Sequence, residues 1–421
     1  MNRNTLLLIL IAATISSAQL YAQGSSYNFI GFGEPAVTAN PRTEGLSGAG
    51  VALTEPRTVS DLNPALWSWI SKTRFEARLN LTTSQSEFGA SSGLLHVVKL
   101  GGFAFGAMLN EKYGVGMALG MAPLTHADAE ALVTDSLGTT NYKREGGVSQ
   151  LYFGLSTRFA RGIAVGGRFD YLFGNLRQLA QSNPNTAGSV PSVFDREYSL
   201  NGLRGTFGLT FAIDSFVSSL HGFTVGASYS TQSALHSTQR NIFTPINTSL
   251  DTTIDVVGRG IFPGEIKLGL SGRFGDRYRA EGSFMTSDYS VASFFSPTDD
   301  VTGDPQLGAF QRIAFGIERL PRMGDEGKGV SAWERAGIRA GFALTTLPFL
   351  PDRTSKVTET SASFGFSLPI NIESLLEFSL TGGIRKPENE AIGPKDTFLR
   401  ISGSISLGER WFAPLRREED E

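Results

Sequence analysis

Residues 59–82 read VSDLNPALWSWISKTRFEARLNLT, and the second half of this stretch decides the fold. From Arg74 to Thr82 the chain alternates strictly. Arg74, Glu76, Arg78, Asn80 and Thr82 fall on one side of an extended strand, and Phe75, Ala77, Leu79 and Leu81 on the other. A single strand of this kind also fits a soluble sheet with its apolar face on a core. The same two-faced strand recurs down the rest of the chain, however, with very few helix-like stretches to cover the apolar faces. A closed barrel whose apolar side faces lipid satisfies all of them at once.

Working outward, the alternation predicts an all-β, transmembrane antiparallel barrel of about fourteen strands, an even number as single-chain bacterial barrels usually have. The expected strands are 73–83, 92–109, 114–124, 148–159, 162–176, 198–213, 222–234, 263–274, 277–290, 310–320, 334–346, 358–370, 374–386 and 396–408. Phase supports them. Arg74, Arg78, Arg168, Arg204, Arg339 and Arg400 all lie opposite the large apolar residues of their own strands. An arginine on the lipid face near the midplane costs roughly 2–4 kcal/mol, and a one-residue slip would turn each of these outward. Connection lengths agree with this reading. Short turns such as Ala160-Arg161 and Gly275-Asp276 fall on the inner side, and long loops (125–147, 177–197, 235–262) on the outer side. Residues 321–333 are the long inner exception. Trp411 follows the last strand in the apolar phase, as an interfacial girdle residue, and a charged tail, 413–421, ends in the periplasm.

The 421 residues carry a formal charge of −3, with 40% hydrophobic and only 18% charged side chains, 49 Gly and 30 Phe. The mean hydropathy is too low for a helical membrane protein but suits a barrel, in which lumen and lipid residues average out. No basic surplus exists to bind nucleic acid. Residues 1–22 read as a secretory signal, with Arg3 as the positive start, Leu6 to Ala13 as the apolar run, and cleavage after Ala22 or, as the runner-up, Ala18. The run is too short to span a bilayer of about 30 Å. The absence of Cys excludes a disulfide, a thiol nucleophile and a thiolate metal site.

Before the barrel, residues 23–71 are too few to fold alone, and the lumen is the nearest surface for them. Asn63 followed by Pro64 is a helix start: the Asn caps free amides and Pro fits the first helical position. Tyr27, Phe29 and Phe32 form an aromatic cluster. Asn63, Pro64 and Ala65 read either as a cap inside a plug or as part of a ligand gate. Phe29 and Phe32 either line an apolar pocket or pack. Gly101 and Gly102 in the second strand mark either a plain bulge or a lateral gap. Arg78, Arg168, Arg273, Glu265 and Glu281 would give the lumen a charged lining, a poor straight path for an apolar molecule. The four His are scattered without metal spacing, so no metal site and no cofactor are expected. Gly89-Ala-Ser91-Ser-Gly93 matches G-x-S-x-G but lacks the following helix, with His96 as the only nearby base, and no catalytic residue is assigned.

Gly48-Ala-Gly-Val-Ala52 followed closely by Asn63-Pro64-Ala65, the strand count after it, and the closing Leu-Gly-Glu-Arg-Trp-Phe of residues 407–412 together resemble the FadL/TodX family of outer-membrane channels for hydrophobic compounds. The resemblance implies a hatch of residues 23–71 inside a barrel of residues 72–412. It implies passive uptake of long-chain fatty acids or other hydrophobic small molecules, with lateral exit into outer-membrane lipid where a strand is kinked. Secretion-associated FadL-like barrels share the early motif, so a non-transporting barrel that binds secreted or envelope proteins is the alternative. Neither reading makes the protein an enzyme.

Overall fold

In the computed structural model, residues 25–409 are described, apart from 39, 89–90, 136–137, 160–161, 186–187, 218–219, 246–251, 299–300, 323–330 and 372. The signal segment, Gly89 of the G-x-S-x-G match, the Ala160-Arg161 turn, Trp411 and the tail 413–421 therefore lie outside the described residues.

The chain closes an antiparallel barrel of 14 strands. They are β1 (Thr73–Phe88), β2 (Ser91–Asn110), β3 (Val115–Pro123, resuming at Ala129–Asp135), β4 (Gly138–Phe159), β5 (Ile163–Pro184) and β6 (Ser192–Val217). Then come β7 (Leu220–Ser230 and Ser233–Pro245), β8 (Thr252–Phe262 and Glu265–Phe274) and β9 (Tyr278–Asp288 and Ser293–Ser296). The last five are β10 (Ala309–Arg319), β11 (Gly337–Leu347), β12 (Val357–Pro369), β13 (Leu375–Pro387) and β14 (Lys395–Glu409). Each strand pairs with the next, and β14 returns to β1 from Glu409↔Thr73 to Lys395↔Glu87, so the ring has no edge in its inner half.

The phase read from the sequence is the phase observed. Phe75, Leu79, Phe169, Leu203 and Phe207 stand 45–59% exposed on the outer wall. Arg74, Arg78, Arg168, Arg204 and Arg339 on the same strands are at most 6% exposed. Apolar area of this extent facing outward is stable only in hydrocarbon.

Two expectations are corrected. The outer connections 125–147, 177–197 and 235–262 are mostly strand: β4 and β5 are each 22 residues long and pair over their full length. About 9–11 residues suffice to cross a bilayer, so the surplus stands above the belt. There both faces meet water, the apolar alternation disappears, and the pattern that reveals the lower strands is silent. The eleventh strand starts at Gly337 rather than 334, because Ala332–Arg335 forms a helical turn.

Residues 25–71 lie inside the barrel. Their contacts reach round the wall: Val59 N–H donates to Glu76 of β1, Asn63 to the Leu209 carbonyl of β6, Gly50 N–H to Ser283 of β9, and Ser47 N–H to Ser363 of β12.

Candidate functional site

The motif Asn63-Pro64-Ala65 opens a 3-10 helix, Pro64–Trp69. Asn63 Oδ1 accepts the Ala65 N–H at 3.0 Å, which caps the helix, and Nδ2 donates to Val51 O at 3.0 Å and to Leu209 O at 3.2 Å. One side chain thus ends a turn, ties two parts of the inner segment together and fastens both to the wall. The wall admits this approach because it carries Gly208 there: a Cβ at Gly208 would stand 2.1 Å from Asn63 Oδ1. Trp67, fully buried, stacks on Tyr152 of β4 at 6.0 Å.

Charge fixes the segment more firmly. Arg42 meets Glu55 at 2.9 Å, Glu377 at 3.4 Å, and Glu318. Arg339 reaches Glu318 at 3.0 Å and Glu377 at 3.2 Å, and Arg279 lies 3.6 Å from Glu318. Arg57 contacts Glu55 at 3.1 Å. Burial alone would raise the Glu55 carboxyl; Arg42, Arg57 and Arg279 outweigh it and hold the group well below its ordinary range. A second cluster joins Glu34 to Arg385 at 2.5 Å and to Arg400 at 3.0 Å. Of the charges expected to line the lumen, Arg78, Arg168 and Glu281 are buried and Glu265 is half-buried, whereas Arg273 is exposed.

Phe32 is 1% exposed and packs edge-on against Phe262 at 5.3 Å and Phe294 at 6.1 Å. Phe29 is half-buried. Ser91 begins a strand rather than a strand-to-helix elbow, and His96 contacts Thr83 Oγ1 at 3.0 Å.

The wall is interrupted at the third strand. β3 stops at Pro123, residues 124–128 bend inward, and the strand resumes at Ala129. At the bend Thr125–His126 pairs with the inner segment, as Thr125↔Pro35 and His126↔Glu34, while the flanking Leu124 and Ala127 N–H groups still donate to Val148 O and Gly146 O of β4. β2 and β3 pair only from Phe103↔Met121 inward to Asn110↔Val115. Above that level Ser91–Gly102 of β2 pairs only with β1, and Ala129–Asp135 of β3 only with β4, among the described residues. A seam therefore runs up the wall from Gly102.

Gly101 is the bulged residue at the foot of this seam: the register jumps from Arg78↔Gly102 to Leu79↔Leu100. Gly102 has φ +103°, and a Cβ there would lie 2.0 Å from Met121 O, so only glycine fits. On the outer side of the bend is a cavity of about 580 Å³ lined by Leu100, Pro123, Tyr171 and Phe173, with Lys99, His126 and Asp128 at its back. Inside lies a polar cavity of about 40 Å³ bordered by Glu34, Arg385 and Arg400 and by the same three residues. Sequence reading passed over Glu34, Lys99 and Asp128, and took His126 only as one of four scattered histidines. The signals were Pro123, which ends a ladder, and Gly146-Gly147 in the neighbouring strand.

The fourteen-stranded barrel is similar in fold to several solved transport proteins. The P. putida toluene transporter TodX matches with a TM-score of 0.58 at 13% identity, over 90% of this chain and 99% of that one. A Pseudomonas aeruginosa FadL homologue matches with a TM-score of 0.58 at 12% identity, over 89% and 99%. The CymD monoaromatic hydrocarbon channel matches with a TM-score of 0.53 at 15% identity, over 90% and 99%. At such identities the likeness is one of fold. The family itself is given by sequence: the BamG family profile matches residues 1–417, and the chain belongs to that family. The FadL/TodX resemblance thus holds for architecture, while BamG is the family. No curated protein matches the chain.

Proposed function

We propose that the protein is a bacterial outer-membrane channel for passive uptake of hydrophobic compounds, long-chain fatty acids among them, with the segment before Thr73 as its hatch and lateral exit through the wall. The observation that carries this reading is the seam between β2 and β3, with its 580 Å³ side cavity. The apolar outer wall supports a place in the outer membrane, and the 49 Gly permit a closely packed lumen. Asn63, Pro64 and Ala65 cap the hatch helix and form part of the ligand gate. Liposomes carrying the purified protein should take up a fluorescent long-chain fatty acid and toluene faster than protein-free liposomes; equal rates overturn the reading. Deleting residues 24–70 should then change the rate.

A second reading, a non-transporting barrel that holds a secreted or envelope protein, is favoured by the sheet above the belt. On its inward face Ala131, Tyr142, Ala180, Phe194 and Phe243 sit opposite one another across β3 to β7. Tyr142 and Phe243 are 44% and 45% exposed. Such a row is a ready contact for protein. Purification in mild detergent separates the readings: a stoichiometric protein partner supports the second, and co-purified lipid in the side cavity supports the first.

A further inference from the structure

We propose that the Lys99–Asp128 ion pair is the latch of the side opening, held shut by the hatch through the pairing of Glu34–Pro35 with Thr125–His126. The inference rests on the channel reading and names the residues that would regulate it. Lys99 stands on the stretch of β2 that has lost its β3 partner, and Asp128 ends the inward bend of β3. Their side chains meet across the seam, and the ammonium also donates to Gly146 O at 3.2 Å. Lys99, His126 and Asp128 line both the side cavity and the inner cavity, so these three side chains are what separates the two.

The seam has no ladder of backbone hydrogen bonds to break. Among the described residues it is closed by one partly exposed ion pair, with side chains 25% and 9% accessible, and by the bond from the same ammonium to Gly146 O. Such a pair opens far more readily than a strand pairing. The bend that carries Asp128 is held on one side by β4, through Leu124 N–H on Val148 O and Ala127 N–H on Gly146 O, and on the other from inside. Ala36 N–H donates to Leu124 O at 2.8 Å, and Asn28 Nδ2 donates to Asp128 O at 2.9 Å. The strand Glu34–Pro35 is anchored in turn by Arg385 and Arg400 on Glu34. A shift of the hatch must therefore pull on the bend, and the bend on the latch.

The chain has no Cys, so introduced thiols are unambiguous. The double variant Lys99→Cys/Asp128→Cys, joined by a short cleavable thiol cross-linker, should lose fatty-acid uptake in liposomes and regain it on reduction. Asp128→Asn should raise uptake about threefold, the scale of one such ion pair. A readout independent of transport is Val97→Cys, which borders the inner cavity: a lipid-soluble maleimide should label it faster when Asp128→Asn is added, and slower when the seam is cross-linked. If wild-type liposomes take up nothing, the channel reading fails while the labelling still tests the latch. Labelling rates indifferent to both Asp128→Asn and the cross-link overturn the latch.

Discussion

Glu318→Gln should unseat the inner segment, residues 25–71. Glu318 is fully buried and meets Arg42 of the inner segment, Arg339 at 3.0 Å and Arg279 at 3.6 Å. The cluster holds the cations Arg42, Arg57, Arg279 and Arg339 against the anions Glu55, Glu318 and Glu377, which nearly balance. Removing one anion while keeping its volume leaves two net positive charges in a largely buried cluster. Breaking a buried pair from one side costs about 3–5 kcal/mol, roughly two to three and a half orders of magnitude in an equilibrium constant. Because Arg42 alone among these three belongs to the inner segment, the least costly relaxation is for it to leave. The assay is limited proteolysis of the detergent-folded protein, following cleavage between residues 25 and 71, beside the thermal midpoint of the barrel. Cleavage should accelerate at least a hundredfold on this estimate, and adding Arg339→Gln should recover part of the protection. As a control, Lys386→Ala, which breaks an exposed pair with Glu390, should leave both unchanged. Equal protease resistance in Glu318→Gln and wild type would refute the view that charge seats the inner segment.

Three further outcomes are expected. Gly208→Ala places a Cβ 2.1 Å from Asn63 Oδ1 and should cost about 1–3 kcal/mol by overpacking, read as a lower thermal midpoint. Phe315→Arg, on the outer wall at 62% exposure, should weaken folding into bilayers by roughly 2–4 kcal/mol while sparing solubility in urea, checked by urea titration against liposomes. The Glu55 carboxyl is held below its ordinary value of 4.5, so its stabilisation is complete above that pH and is lost as pH falls through the lower folded value. The gap in protease protection between wild type and Glu55→Gln should therefore be constant from neutral pH to about 4.5 and close below it.

The lower barrel was legible because lipid imposes a rule on every outward position, and a strict period of two is what that rule leaves behind. Arg168 opposite Phe169 and Arg339 opposite Ile338 each announce their faces without reference to any other strand. The upper strands obey no such rule: in Gly138–Glu145 and Ser192–Tyr198 polar residues suit both faces, and the only cue is β-propensity. Asn63 and Pro64 were legible as a cap because capping is local. The break at 124–128 was not, since it is shaped by contacts such as His126 pairing with Glu34, 92 residues away in sequence (126 − 34). The partners of Arg42 were hidden for the same reason. Phase says which charges turn inward, and only the closed ring says which of them meet.

On the proposed channel reading, the route for a ligand follows from comparing what must be broken in each direction. Straight through, the lumen is filled by the Arg42–Glu318–Arg339 cluster, by Asn63 against Gly208, and by Phe32 between Phe262 and Phe294. Opening it means separating several buried ion pairs, each worth kilocalories once its partner is gone. Sideways, the β2–β3 ladder is already absent from Ser91 to Gly102, and among the described residues Lys99 bridges the seam, on Asp128 and on Gly146 O. A molecule that prefers hydrocarbon to water gains by leaving there, beside Leu100 and Tyr171, and has no such gain at the periplasmic end, where Arg273 is exposed. The lower barrier and the favourable destination therefore lie on the same side of the wall.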